Sequence, residues 1–221
     1  FSVTSCDDFL DINESPNSPT ESRLDLVLPS VQAVIFESLG NGNASVGDLA
    51  SQFVHHTTQR GESNFYFVAG NEFSIANAWP NLYAAALKDI DDMITQATEL
   101  NSPHYLGVAQ VLKVYTYSMM VDIWGMAAFT EFGQGTANPF AKLDEGADIY
   151  PQLFPLLDAA VANFALESPV DVGGDMIYEG DVEKWTKLAN SLKLKLYNQV
   201  RLTALYDAAA VTALLSDPDA L

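Results

Sequence analysis

The chain has 221 residues, 48% of them hydrophobic, which is enough for a substantial core and excludes a disordered polypeptide. Asp and Glu number 29 against 10 Lys and Arg, a formal charge of −19, and so acidic a surface excludes nucleic acid, whose phosphates require clustered cations. The single cysteine, Cys6, leaves no internal disulfide and no Cys-rich zinc site, and no apolar run reaches the roughly 18 residues a membrane-spanning helix needs.

At the amino terminus, Val3, Thr4, Ser5 and Cys6 have the shape of a bacterial lipobox, an aliphatic residue and two small residues before a cysteine that accepts lipid. On spacing alone Cys6 reads equally well as a small buried hydrophobe. Its position favours lipidation: residues 1–5 then read as the remnant of a signal peptide and residues 6–20 as a lipidated tether, each buried methylene of the acyl chains adding about 0.8 kcal/mol. Pro16 and Pro19 interrupt the polar stretch Asp11 to Thr20, as suits a tether rather than an element.

Residues 21–221 then read as an all-α body. Leu24, Val27, Leu28, Val31, Ile35 and Leu39 fall at helical spacing and stop at Gly40. Val46, Leu49 and Phe53 predict a second helix to about Gln59, followed by a loop or short extended piece from Arg60 to Asn71. A long stripe runs through Trp79, Leu82, Tyr83, Ala86, Ile90, Met93, Ile94 and Ala97, and Ser102 with Pro103 supplies an N-cap and first-turn proline for the next helix. The segment His104 to Trp124 is apolar on most sides, which predicts central burial, and Gly125, Gly133 and Gly135 break it. Ile149, Leu153, Leu156, Leu157, Ala160 and Phe164 form the next stripe; Asp181 caps a helix bearing Trp185, Leu188, Ala189, Leu192 and Leu196, and Asp207 to Leu215 is a short last one. Periodicity gives helical hairpins with no strand and no clean tetratricopeptide consensus.

Catalytic machinery is not evident. His55, His56 and His104 would have to converge with a carboxylate to bind a metal, and neighbours on a helix diverge by about 100°. Asp89, Asp91 and Asp92 read as a solvated helix face rather than a calcium loop, and the acidity as a solubility device. No cofactor motif and no nucleophile elbow occurs. Paired carboxylates of a glycoside hydrolase remain open among so many acidic residues. The inventory that does suggest binding is Arg60, Glu62, Asn64, Phe65, Tyr66 and Phe67, flat aromatic faces beside amide and charged hydrogen-bonding groups. In the competing reading Phe65 and Phe67 alternate inward and Tyr66 alone faces solvent, so Tyr66 leads the candidates.

Three segments resemble the SusD/RagB family of outer-membrane nutrient-binding lipoproteins. They are Ser5 to Asn13 continuing to Pro16 and Asn17, then Asp122-Ile123-Trp124-Gly125 with Phe129-Thr130-Glu131, and Tyr178 to Trp185 running into Leu188-Ala189-Asn190-Ser191-Leu192-Lys193-Leu194. Asp7 and Asp8 after Cys6 resemble the surface-export signals of Bacteroidetes lipoproteins. The resemblance implies tetratricopeptide-like helix pairs, a SusC-like TonB-dependent transporter as partner, an oligosaccharide or peptide ligand, a lipid anchor in the outer membrane, no enzymatic activity, and a body that continues beyond Leu221. Ala128 stands where the family commonly has proline. The alternatives are a helical scaffold for protein contacts and a glycoside hydrolase. Trp124, Trp185, Asn190 and Ser191 read as structural: the tryptophans as core packing, the polar pair as bonds to backbone or a neighbouring helix.

Overall fold

The apolar periodicity resolves into seven helices among residues 23–40, 45–57 and 77–221, the residues described by the computed structural model. The first, α1 (Leu24–Leu39), ends at Gly40 as the spacing predicts and buries Leu24, Leu28, Val31, Ile35 and Leu39. The second, α2 (Val46–Phe53), is capped by the Ser45 hydroxyl, which accepts from the Asp48 N–H. It stops six residues short of the expected Gln59, itself outside the described residues, because the chain turns at His55 with φ at 58°. His55 and His56 are therefore exposed turn residues and not neighbours on a helix.

The long third helix, α3, has a first turn (Ala78–Asn81), a π-helical stretch (Leu82–Leu87) and an α-helical remainder (Lys88–Glu99). Hydrogen bonds from i to i+5 in the π stretch place Leu82 and Leu87 on the same buried face. At a uniform 3.6-residue period the two would stand about 140° apart, and the stripe read from the sequence takes in Leu82 but not Leu87. The fourth, α4 (Pro103–Trp124), is the centre of the molecule, with Val108, Val111, Val114, Tyr117 and Met120 fully buried. Its buried Thr116 and Ser118 donate to the carbonyls of Leu112 and Tyr115, so no hydroxyl is stranded there. Ser102 occupies the N-cap position without capping; its hydroxyl lies 3.4 Å from that of Ser168.

After α4 come the paired strands β1 (Met126–Ala127) and β2 (Asp144–Glu145), then α5 (Gly146–Phe164), α6 (Val182–Gln199) and α7 (Ala208–Ser216). Each long helix packs antiparallel on its predecessor: Lys113 meets Asp91 between α3 and α4, Asn163 meets Gln110 between α4 and α5, and Lys193 meets Asp158 between α5 and α6. Helices α4 and α5 approach closely where Gly107 faces Phe164; a Cβ there would stand 2.6 Å from the ring. None of the described helices is long and apolar enough to cross a membrane.

Trp185 is fully buried, as its place on the apolar face predicts, and its indole N–H donates to Asp175 at 2.7 Å. The same carboxylate, 7% exposed, accepts from the Gln32 amide at 2.6 Å and from the backbone N–H groups of Ile177, Tyr178 and Gly180. Gln32 in turn accepts from the Met176 N–H. One side chain thus ties α1, the loop before α6 and α6 itself. Asp181 caps α6 through the Glu183 and Lys184 N–H groups, and Asp207 caps α7. Asn190 donates to the Ala220 carbonyl, a backbone bond of the expected kind, while Ser191 is exposed.

Burial by itself raises the Asp175 pKa, but the Gln32 amide, the Gly180 and Ile177 N–H groups and the indole outweigh it and hold the carboxyl below its usual range. A depressed folded-state pKa contributes stability that is complete above the unfolded value of about 3.9 and is lost as pH falls through the folded value. Asp175→Ala strands five donors and should destabilise by about 3 kcal/mol or more in urea unfolding. Asp175→Asn should lose less, and the wild-type advantage over it should be full above about pH 5 and shrink on acidification.

Candidate functional site

The residues nominated for ligand contact, Arg60, Asn64, Phe65, Tyr66 and Phe67, and the anchor Cys6, lie outside the described residues. What the structure provides is the frame from which that segment departs and to which it returns. Residue 77 leads into Trp79, whose ring meets Trp124 edge-on at 5.0 Å and Tyr83 at 5.1 Å. Tyr83 in turn meets Phe132 at 5.2 Å. The return point of the nominated segment and the loop that follows α4 are therefore rooted in one aromatic cluster. Trp124 packs at a helix end, as expected, and Gly125 closes α4 with φ at 79°, a left-handed turn that favours glycine.

The loop between α4 and α5 is built rather than slack. Met126 pairs with Glu145 and Ala127 with Asp144 at its base. The Asp144 carboxylate accepts from the N–H groups of Phe129 and Thr130 and from the Thr130 hydroxyl, and these bonds, led by the Thr130 N–H, keep its pKa low against the effect of burial. Glu131 accepts from the Asn138 amide at 2.8 Å and the Lys142 N–H at 3.0 Å, and its pKa is likewise lowered, first by the Lys142 bond. The Phe129-Thr130-Glu131 motif is thus a loop-shaping device. Phe140, in the same loop, is 90% exposed.

Ala128 sits between two tyrosines: its N–H donates to the Tyr83 hydroxyl at 2.6 Å and its carbonyl accepts from Tyr117 at 3.0 Å. Proline has no N–H and could not supply the first bond. Burial pushes the Tyr83 hydroxyl up to about 12, with the Ala128 N–H working in the opposite sense.

At the other end of α4, about 33 Å away for 22 residues, a cleft of about 500 Å³ is lined by Arg23, Asp25, Gln96, Tyr105, Val170 and Asp171. In it Arg23 forms two bonds to Asp25, and the Tyr105 hydroxyl donates to the Gly173 carbonyl and accepts from its N–H. No group of three or more His, Cys, Asp or Glu positioned for a metal occurs among the described residues. Asp91 and Asp92 pair with Lys113 and Lys88, and His104 bonds the Leu166 carbonyl.

Among the described residues, antiparallel helix pairs and the pinned loop between α4 and α5 make up a helical scaffold. A family profile described as SusD-like, starch-binding and associating with the outer membrane matches residues 16–214, and the chain belongs to that family. The description names binding and no reaction. A SusD/RagB family protein from Bacteroides thetaiotaomicron is similar at 25% identity with a TM-score of 0.73, covering 89% of this chain and 43% of that one. A chitin-binding protein is similar at 25% identity with a TM-score of 0.69, covering 88% and 43%. A chitin-binding SusD homolog from Flavobacterium johnsoniae, at 22% identity and a TM-score of 0.57 over 66% of this chain and 31% of its own, shares the fold. The chain spans less than half the length of these structures. No curated protein matches it.

The Ala128 clamp is testable by a double-mutant cycle in urea unfolding. Tyr83→Phe should destabilise the parent by about 1–2 kcal/mol and cost markedly less in an Ala128→Pro background, where the N–H is already gone. Equal costs in both backgrounds would show that the two groups are not coupled.

Proposed function

We propose that this chain is part of a lipid-anchored receptor at the outer-membrane surface, which captures an oligosaccharide and passes it to a SusC-like TonB-dependent transporter. The observation that carries the reading is the family match over residues 16–214. A glycan is favoured over a peptide because the family description names starch and a relative at 25% identity is a chitin-binding protein. In this reading acyl chains on Cys6 hold the protein in the membrane, residues 1–5 are removed, residues 6–20 form the tether, and the helical body from residue 21 onward carries ligand and transporter contacts. Lipid attachment fits Val3 to Cys6 and the acidic pair that follows.

Ligand contact is assigned first to Tyr66, with Phe65, Phe67, Asn64 and Arg60 beside it, since an aromatic face covers pyranose C–H groups while amide and guanidinium groups bond hydroxyls. Isothermal calorimetry with maltoheptaose and with chitohexaose tests this. One of the two should bind, and Tyr66→Ala should weaken it about tenfold, near 1.4 kcal/mol, at unchanged thermal stability. Release of reducing ends from either sugar would replace the receptor with a hydrolase, and binding of neither would leave the scaffold reading.

A further inference from the structure

We propose that α7 and the turn before it form an internal seam, onto which a segment following Leu221 in the full-length protein packs. The inference rests on the family membership and not on the choice of ligand, so its failure would leave the glycan reading untouched.

Alone among the described helices, α7 carries no charged side chain, reading Ala-Ala-Ala-Val-Thr-Ala-Leu-Leu-Ser from Ala208 to Ser216. None of its residues is buried. Ala210, Val211 and Leu214 are half-buried, whereas Ala209, Thr212, Ala213 and Leu215 are exposed. Leu215 is 61% exposed, and in the turn leading into the helix Leu202 is 89% and Tyr206 40% exposed. The two polar side chains of α7 turn back on its own backbone, Thr212 donating to the Ala208 carbonyl and Ser216 to the Thr212 carbonyl, so the outer face presents an apolar surface to water.

A helix of nine residues is marginal in water on propensity alone and draws its stability from packing. Asp207 caps α7, but the cap satisfies only the first turn. A helix that is apolar on all sides belongs in a buried position, and α7 has the composition of such a helix without the burial.

The occupant follows from length and from where the chain leads. The SusD/RagB structure that is similar over 89% of this chain is matched over 43% of its own length, so a protein of that build has more than half of its chain to place elsewhere. After α7 the backbone returns along α6, where Asn190 donates to the Ala220 carbonyl and Lys187 to that of Leu221. A segment continuing from there starts beside the exposed face, and linkage within one chain gives it an effective concentration that a second copy lacks. A lipid surface is a poorer occupant: α7 has no Lys or Arg, and Asp207, Asp217 and Asp219 flank it, the wrong sign for anionic headgroups.

The test is thiol accessibility in the purified protein expressed from its complete reading frame, with Cys6→Ser and any further cysteine replaced. Thr212→Cys, close in size to the parent residue, and Leu215→Cys are each labelled with a maleimide in buffer and in urea. Both thiols should react at least tenfold more slowly in the native protein than in urea, at the melting temperature of the cysteine-free parent and at every protein concentration. Thr212→Cys labelled as fast in buffer as in urea, in a protein that melts as the parent does, would overturn the seam. Protection that disappears on dilution would overturn it in favour of a second copy, and a reading frame that closes at Leu221 would remove the occupant altogether.

Discussion

A buried carboxylate with five hydrogen-bond donors, none of them cationic among the described residues, ties the parts of this helical body together. Asp175 stands among Gln32, Trp185 and three backbone N–H groups, and the bonds it accepts join residues 143 positions apart in the chain. Removing an ionised carboxylate from water is expensive, and only a full set of charge-assisted bonds makes that burial favourable. Everything the set includes is thereby fixed: the angle at which α6 leaves its loop, the position of Trp185 in the core and the contact of that loop with α1. The motif from Tyr178 to Trp185 is the sequence trace of this arrangement, with Gly180 supplying an N–H to the carboxylate and Asp181 capping the helix that follows.

The far end of the bundle uses the same chemistry. Asp144 and Glu131 accept backbone and side-chain donors of the loop after α4, and neither relies on a lysine or arginine side chain for those bonds. In a chain with 29 acidic and 10 basic residues, carboxylates cannot all find cationic partners, and the loops are where backbone N–H groups lie unclaimed by helices. Acidic residues therefore do architectural work here as acceptors. The Ala128 clamp adds a neutral version, with Tyr83 and Tyr117 holding one peptide unit from both sides.

The helices were legible because their cores obey a 3.6-residue period, and α1 and α4 follow the sequence signals closely. Leu87 was not, since a π stretch shifts the buried face by a residue, and the end of α2 was not, since a positive φ at His55 leaves no mark in composition. Ser102 shows that a good capping residue can be diverted by a tertiary neighbour. Trp185 could be recognised as a core residue, yet its partner Asp175 could not, because nothing local tells which of many carboxylates a fold will bury. Of the candidate site, the aromatic run at Phe65 to Phe67 was visible by composition and lies outside the described residues.

The entry of the described chain and the Asp175 network lie toward the amino-terminal end of α4, and the aromatic cluster and pinned loop lie at its carboxyl-terminal end. The most direct measurement is a crystal structure of the protein with a bound malto- or chitooligosaccharide. Sugar rings stacked on Tyr66 and its neighbours Phe65 and Phe67 are the predicted result; a ligand seated instead in the cleft between Arg23 and Tyr105 would contradict it.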